Sequence, residues 1–237
     1  IGLCPFHNEK TPSFTVYPEN GSFYCFGCGV GGDVFTFTKL INNLDYIEAI
    51  RLLAEKSGVL IEENTYDSSL TNQKQIIYEI NRETAKFFHS FLMSEQGKWG
   101  LDYLKNRGLS IATIKHFGLG AAPDNWNMLR DYLKRKGFKE EDMLLANVVS
   151  KSSKGTFYDR FRNRIMFPLY DLNGKVIGYN GRVYNGETEN KYVNSKETDI
   201  FKKRELLYNY HRAKDECRRK KSVIIMEGPM DVIRAYT

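Results

Sequence analysis

Cysteine is scarce in this sequence: there are four in 237 residues. Cys4, Cys25 and Cys28 crowd the amino-terminal end, and Cys217 lies alone. Four are too few and too clustered for a disulfide scaffold; a metal site in a reducing compartment fits better. No run of about 18 apolar residues occurs, which excludes a membrane-spanning helix. No secretory leader is visible, and the chain opens on Ile1 rather than Met, so its start is expected to be a processed or truncated end. Ser-His-Asp, Walker and dinucleotide-glycine patterns are absent. His89, His116 and His211 have no ligand-spaced partners, and Cys217 sits in a charged stretch as a plain thiol. Internal repeats and low-complexity tracts are also missing.

What is present suffices for a core: 41% of residues are hydrophobic and 14% aromatic. Thirty-five Lys and Arg against 29 Asp and Glu give a formal charge of +6. That excess favours an acidic partner, nucleic acid being the commonest, although a generic basic surface has the same signature.

The clearest pattern is Cys4-Pro-Phe-His7, then a 17-residue interval, then Cys25-Phe-Gly-Cys28. Two residues between the ligands of each pair let a tight knuckle aim both at one metal. Cys₃His is a closed tetrahedral set for zinc, leaving no open position for a water, so the site is structural rather than catalytic. SFTVY and SFYCF read as strands around an Asn20-Gly21 turn, which makes the segment a zinc ribbon. Phe14, Tyr17, Phe23 and Tyr24, with Lys10 nearby, have two readings: they pack the hairpin onto the next helix, or they stack on single-stranded bases.

Asp33 is a helix N-cap ahead of an apolar stripe, and Asp45 with Glu48 reads as a capping box for a second helix ending at Gly58. Residues 62–72 are polar and read as a linker. Residues 73–147 read as helical, first as one long amphipathic helix, then as shorter helices ending near Gly108, Gly118 and Gly137. From about Thr156 the pattern becomes strands, with RIMFPLYD and KVIGYNGRVY flanking an Asn173-Gly174 hairpin. A charged helix is expected over 203–220. Residues 223–226 then read as a buried strand running into a Gly-Pro turn and a helix, the opening of an α/β unit.

Two further constellations carry chemistry. Arg160, Arg162 and Arg164 alternate, and period two would put all three on one face of a strand. Lys175, Arg182, Lys191, Lys202, Lys203 and Arg204 add positive charge, and phosphates are the natural counterpart. Glu227 and Asp231 follow the apolar run 223–226. A carboxylate at the carboxyl end of a strand could hold Mg²⁺ or act as a base in phosphoryl transfer, while a plain strand-to-helix turn with a capping Asp explains the same residues.

In combination these segments resemble the DnaG-type bacterial DNA primase family. CPFHNEKTPSF and CFGCGVGGDVF are similar to its CHC2 zinc-binding domain. YDRFRNRIMFPLYD, VIGYNGR, KYVNSKET and FKKRELLYN are similar to the amino-terminal half of its RNA polymerase core, and VIIMEGPMDVI to the opening of its TOPRIM fold. Departures are Asn180, Asn190, Lys196 and Pro229, each beside a matched residue. The resemblance implies an α+β fold: a zinc domain over 1–61, the linker 62–72, the amino-terminal part of the polymerase core over 73–221, and the start of a TOPRIM domain over 222–237.

The family's roles carry over to matching positions. Cys4, His7, Cys25 and Cys28 would bind one structural Zn²⁺. Arg160, Arg162, Arg164, Arg182, Lys191, Asn194 and Lys203 would meet nucleic acid and nucleotide. Glu227, with Asp231 just after it, would serve metal-dependent catalysis, its magnesium site being completed by residues beyond this chain. The implied activity is synthesis of short RNA primers on single-stranded DNA from ribonucleoside triphosphates. The implied partner is a replicative helicase, reached through a carboxy-terminal domain absent here, and the implied setting is the bacterial cytoplasm at the replisome. On this reading the chain is a fragment that cannot polymerise alone. Two alternatives stand beside it: a non-catalytic module gripping single-stranded nucleic acid, and another TOPRIM enzyme such as a phage-type helicase-primase.

Overall fold

A computed structural model describes residues 1–42, 44, 46–59, 65–184 and 191–237, with only the backbone for 65–71. Two compact units emerge, Ile1–Thr65 with Arg212–Ile224, and Tyr66–His211 with Ile225–Thr237.

In the first unit, β1 (Phe14–Tyr17), β2 (Ser22–Cys25) and β3 (Gly31–Asp33) form an antiparallel sheet in that order. The β1–β2 loop turns at Gly21 with φ 63°, and Asn20 Oδ1 accepts the Ser22 N–H at 3.2 Å. The expected turn is therefore present. β3 was not expected: two glycines and an aspartate carry no strand pattern, and its partner β2 is what makes it a strand. Asp33 caps α1 (Val34–Asn42), its Oδ1 accepting the Thr36 N–H at 2.7 Å. α2 (Tyr46–Ser57) ends at Gly58, where φ is 69°. The Asp45 half of the expected capping box lies outside the described residues.

The second unit begins with α3 (Thr65–Leu92). The stretch expected to be a linker is thus helical from Thr65 onward, and 62–64 lie outside the described residues. Its polar residues extend a helix whose apolar stripe, Ile77, Ile80, Phe88 and Leu92, is fully buried further along. Then follow α4 (Lys98–Asn106), α5 (Ile111–His116), β4 (Gly120–Ala122), α6 (Met128–Arg135) and α7 (Glu140–Leu145). The chain leaves three of these helices at Gly108, Gly118 and Gly137, all with positive φ. β4 interrupts the region read as wholly helical. Its Gly120 is set by proximity, since a Cβ there would stand 2.6 Å from the Phe88 Cβ.

β5 (Val149–Lys151) and β6 (Phe157–Asp159) pair as a separate ribbon. β7 (Arg164–Tyr170), β8 (Val176–Val183) and β9 (Tyr192–Asn194) join β4 in an antiparallel sheet ordered β4-β7-β8-β9. The Asn173-Gly174 hairpin is present, with Asp171 Oδ1 accepting the N–H groups of Asn173 and Lys175 at 2.9 and 2.8 Å. Both faces of β7 are covered. Met166 joins Phe88, Phe161 and Tyr179 on one side; Ile165 and Phe167 join Leu92, Leu104 and Phe117 on the other. A strand buried on both sides is apolar throughout rather than alternating, which is why RIMFPLY reads as it does.

The charged helix α8 (Tyr210–Lys220) starts later than expected, because Asn209 adopts φ 65° and separates it from a short 3-10 turn at Lys203–Glu205. The expected strand at 223–226 is not formed. Ile224 is 82% and Ile225 73% exposed, and no described strand lies beside them. A strand exists only through a partner's hydrogen bonds. The turn and helix that follow it are formed, as α9 (Pro229–Tyr236), whose Met230 and Ile233 are buried. No helix among the described residues is long and apolar enough to cross a membrane.

Candidate metal centre and nucleic-acid interface

Cys4, His7, Cys25 and Cys28 converge, their ligand atoms all within 4.8 Å of one another. Cys4 and Cys28 Sγ are 3.9 Å apart, and Cys25 Sγ lies 3.7 Å from His7 Nδ1. A tetrahedral zinc with Zn–S near 2.3 Å separates its sulfurs by about 3.8 Å, so the donor set fits that ion. Burial pushes the Cys4 thiol up to about 11. Burial acts upward at Cys25 too, but the Ser13 hydroxyl and the Cys28 and Gly27 amides outweigh it and bring that thiol to about 6.

Behind the ligands, Phe14 and Phe23 stack at 5.3 Å and meet Phe6 and Phe37 edge-on or tilted. The packing reading therefore holds for these two. Tyr17 and Tyr24 lie exposed on the opposite face of the ribbon, where Phe26, 69% exposed, meets Tyr24 edge-on at 5.0 Å.

The three arginines do not share a strand face. Arg164 begins β7, whereas Arg160 and Arg162 lie in a bend after β6, closed by Asn163 at φ 48°. The alternation is real, but the pleat that would align it is missing. Arg160 donates to the Asn194 carbonyl at 3.0 Å and Arg164 to the Gly181 carbonyl at 3.3 Å. Arg162 donates to the Asp159 carbonyl and lies over the Trp126 ring, 3.7 Å from its centroid. Burial disfavours the charged forms of Arg160 and Arg164, and the Arg162 charge adds to this at Arg164. Among the described residues, neither Arg160 nor Arg162 forms an ion pair with a carboxylate, and the buried Nε of Arg160 has no partner.

Arg182 projects from β8 between Tyr103 and Tyr192, 5.7 and 5.6 Å from their centroids. Asn194 on β9 accepts a hydrogen bond from Asn180 at 2.7 Å. The β7–β8–β9 end thus gathers Arg160, Arg164, Arg182 and Asn194, with Lys191 beside them through its carbonyl, 3.5 Å from Arg164. Lys203 is exposed in its own 3-10 turn.

Trp126 is 59% exposed in the loop before α6 and was not singled out from the sequence. The available signal was a lone tryptophan in the polar loop Pro123-Asp-Asn-Trp-Asn127, where no helical stripe explains it. Glu227 and Asp231 both face solvent at the start of α9. With no third carboxylate or histidine clustered beside them among the described residues, they do not by themselves make a magnesium site.

Residues 87–214 match the family model for the DNA primase catalytic core, N-terminal domain. The chain belongs to the DnaG-type DNA primase family. Residues 1–69 match the CHC2 zinc finger of the same family. The chain is 41% identical to a DNA primase of Staphylococcus aureus over its whole length, spanning 40% of that relative. It is thus less than half as long as that curated primase. A solved Aquifex aeolicus primase, comprising zinc-binding and RNA polymerase domains, aligns at TM-score 0.63 and 31% identity, over 98% of this chain and 56% of that one. A DnaG primase catalytic domain bound to single-stranded DNA aligns at TM-score 0.63 and 36% identity, over 69% and 52%. Primase relatives thus cover both the metal centre and the arginine-bearing sheet.

Proposed function

We propose that this chain is the zinc-binding and amino-terminal catalytic portion of a DNA primase, a template-directed RNA polymerase that starts short RNA chains on single-stranded DNA. The observation that carries the reading is the manner in which Arg160 and Arg162 are held. Carbonyl oxygens and an aromatic face fix their geometry, and no carboxylate among the described residues neutralises them. Guanidiniums held this way remain available to phosphate.

In this reading Arg162 and Trp126 grip the template, the cation on phosphate and the ring beneath a base. Arg160, Arg164, Arg182, Lys191, Asn194 and Lys203 orient template and ribonucleotide phosphates. Glu227 supplies one magnesium ligand, with Asp231 supporting it and the remaining donors coming from the longer polypeptide. Magnesium there would supply charge neutralisation at the reacting phosphate and the departing pyrophosphate. The zinc ribbon engages the template. A replicative helicase is the partner of the full-length protein, which works at the replisome in the bacterial cytoplasm.

The test is primer synthesis by the full-length protein on single-stranded DNA with Mg²⁺ and ribonucleoside triphosphates. Radiolabelled short RNA is expected from the wild type and none from Glu227→Gln. Undiminished synthesis by that variant removes Glu227 from the mechanism. A wild type that never joins two nucleotides leaves only a nucleic-acid-binding module.

A further inference from the structure

Beside the metal centre, one carboxylate collects more hydrogen bonds than a surface glutamate ordinarily holds. Glu9 is only 11% exposed. Its Oε1 accepts the backbone N–H of Cys4 at 2.8 Å and that of Ser13 at 3.1 Å. Its Oε2 accepts the Ser13 hydroxyl and lies 3.2 Å from His7 Nε2. The Ser13 oxygen in turn stands 3.3 Å from Cys25 Sγ. One side chain therefore touches the backbone of the first ligand, the ring of the second, and the hydroxyl packed on the third.

The second knuckle is laid directly over this cluster. Phe26 donates its N–H to the Ser13 carbonyl at 2.9 Å. A Cβ on Gly27 would stand 2.6 Å from His7 Nε2 and 2.7 Å from Ser13 Oγ, so only glycine lets the backbone approach. The closeness of this lid indicates a built arrangement rather than a chance surface contact.

We infer that Glu9 is the positioning residue of the zinc site, holding His7 in the tautomer that presents Nδ1 to the metal. Imidazole has one N–H when neutral; a carboxylate at Nε2 fixes it there and leaves the Nδ1 lone pair directed at the sulfurs. The same contact orients the ring. Through Ser13, Glu9 also sets the spacing of the Cys25 side of the tetrahedron. This role concerns zinc retention and is independent of whether the parent protein polymerises.

The experiment uses the zinc-loaded 237-residue chain and follows zinc transfer to an excess of chromogenic chelator. Glu9→Ala is expected to weaken zinc retention by about 10–100-fold. Glu9→Gln keeps one acceptor oxygen for the ring N–H and should fall between Ala and wild type. A nitrogen-15 histidine spectrum supplies the second readout. Zinc-bound wild type should show His7 coordinated through Nδ1 with a slowly exchanging Nε2–H, and Glu9→Ala should lose that protected proton. Wild-type zinc retention in Glu9→Ala, or coordination of His7 through Nε2 in the wild type, overturns the inference. Should Glu9→Ala not fold, Glu9→Gln decides: retention and Nε2–H protection both equal to wild type overturn it, and a reduction of either supports it.

Discussion

Replacing Asp159 with Ala should destabilise the second unit more than any change at its charged surface. Helix α6 has no cap of its own, since the side chain of Asn127 before it makes no capping bond. Asp159 does that work from the end of β6. Its Oδ2 accepts the Leu129 N–H at 2.8 Å and its Oδ1 the Arg130 N–H at 2.9 Å. Hydrogen bonds to a charged group contribute roughly 1.5–3 kcal/mol each, and a buried donor left without a partner costs about 1–3 kcal/mol. Against this stands the cost of burying the carboxylate: burial raises the Asp159 pKa even though both amides act to lower it. The net expectation for Asp159→Ala is a loss of about 2–4 kcal/mol, close to the upper range for N-cap removal. In urea, with a slope of about 2–3 kcal/mol/M, the midpoint followed by tryptophan fluorescence should fall by about 1 M. The raised pKa has a defined sign. The folded chain holds this proton more tightly than the unfolded chain, so the Asp159 contribution is most favourable below the ordinary carboxyl range. It declines as pH rises through the raised value. Asp159→Asn removes that dependence. A midpoint shift under about 0.2 M for Asp159→Ala, or a wild-type-minus-Asn difference that is flat with pH, would refute the reasoning.

Other outcomes follow from the same geometry. Arg162→Ala should weaken single-stranded DNA binding and reduce the log–log salt slope by about 0.7, one phosphate's worth; a filter-binding series over salt checks this, and an unchanged slope means the residue meets no phosphate. Trp126→Ala should cost about 1–3 kcal/mol of binding at fixed salt while leaving that slope intact, as loss of base stacking does. Removing zinc by chelation should unfold the ribbon, whose own core is only a few aromatics; amide spectra that keep the Phe14 and Phe23 shifts after chelation would contradict it. Gly120→Ala should cost about 1–3 kcal/mol in thermal or urea melts, because its Cβ would meet the Phe88 backbone and Cβ with no flexible side chain to give way.

How far the sequence disclosed these features depended on whether the residues themselves encode them. The zinc ligands were legible because two-residue spacings are a property of the chain alone, and the long helix because its apolar stripe is periodic over several turns. Asn173-Gly174 announced its hairpin because the turn needs that chemistry. β3 and β4 were not legible: Gly31-Gly32-Asp33 and Gly120-Ala-Ala122 are strands by virtue of their neighbours, and Gly120 is chosen by Phe88, 32 positions earlier. The run 223–226 misled in the opposite direction, with strand composition but no partner strand among the described residues. The Glu9 cluster escaped because two of its four partners are backbone N–H groups, which sequence does not distinguish. Trp126 escaped because its significance lies in Arg162, which reaches it only after the bend at Asn163.

That bend also bears on what the arginines can do. On a regular strand, Arg160, Arg162 and Arg164 would stand in a row, mutually repelling and free to move in solvent. Here each points to a different anchor: the Asn194 carbonyl, the Asp159 carbonyl with the Trp126 ring, and the Gly181 carbonyl. At Arg160 and Arg162, whose partners among the described residues are neutral, the anchors restrict the guanidinium without cancelling its charge. Arg130 and Arg219 show the contrast, being matched to Asp131 and Glu216 at 2.8 and 2.6 Å, so that little of their field remains for a ligand. Burial of Arg160 and Arg164 disfavours their charge in the unliganded state, and a bound phosphate would relieve that penalty. Ordering these side chains before the anion arrives lowers the entropy lost on binding, which is the advantage of a preorganised site over a mobile basic surface. If this account is right, single Arg→Lys changes at 160 and 162 should weaken DNA binding almost as much as Arg→Ala, since an ammonium keeps the charge but cannot reproduce the planar contacts to carbonyl and ring.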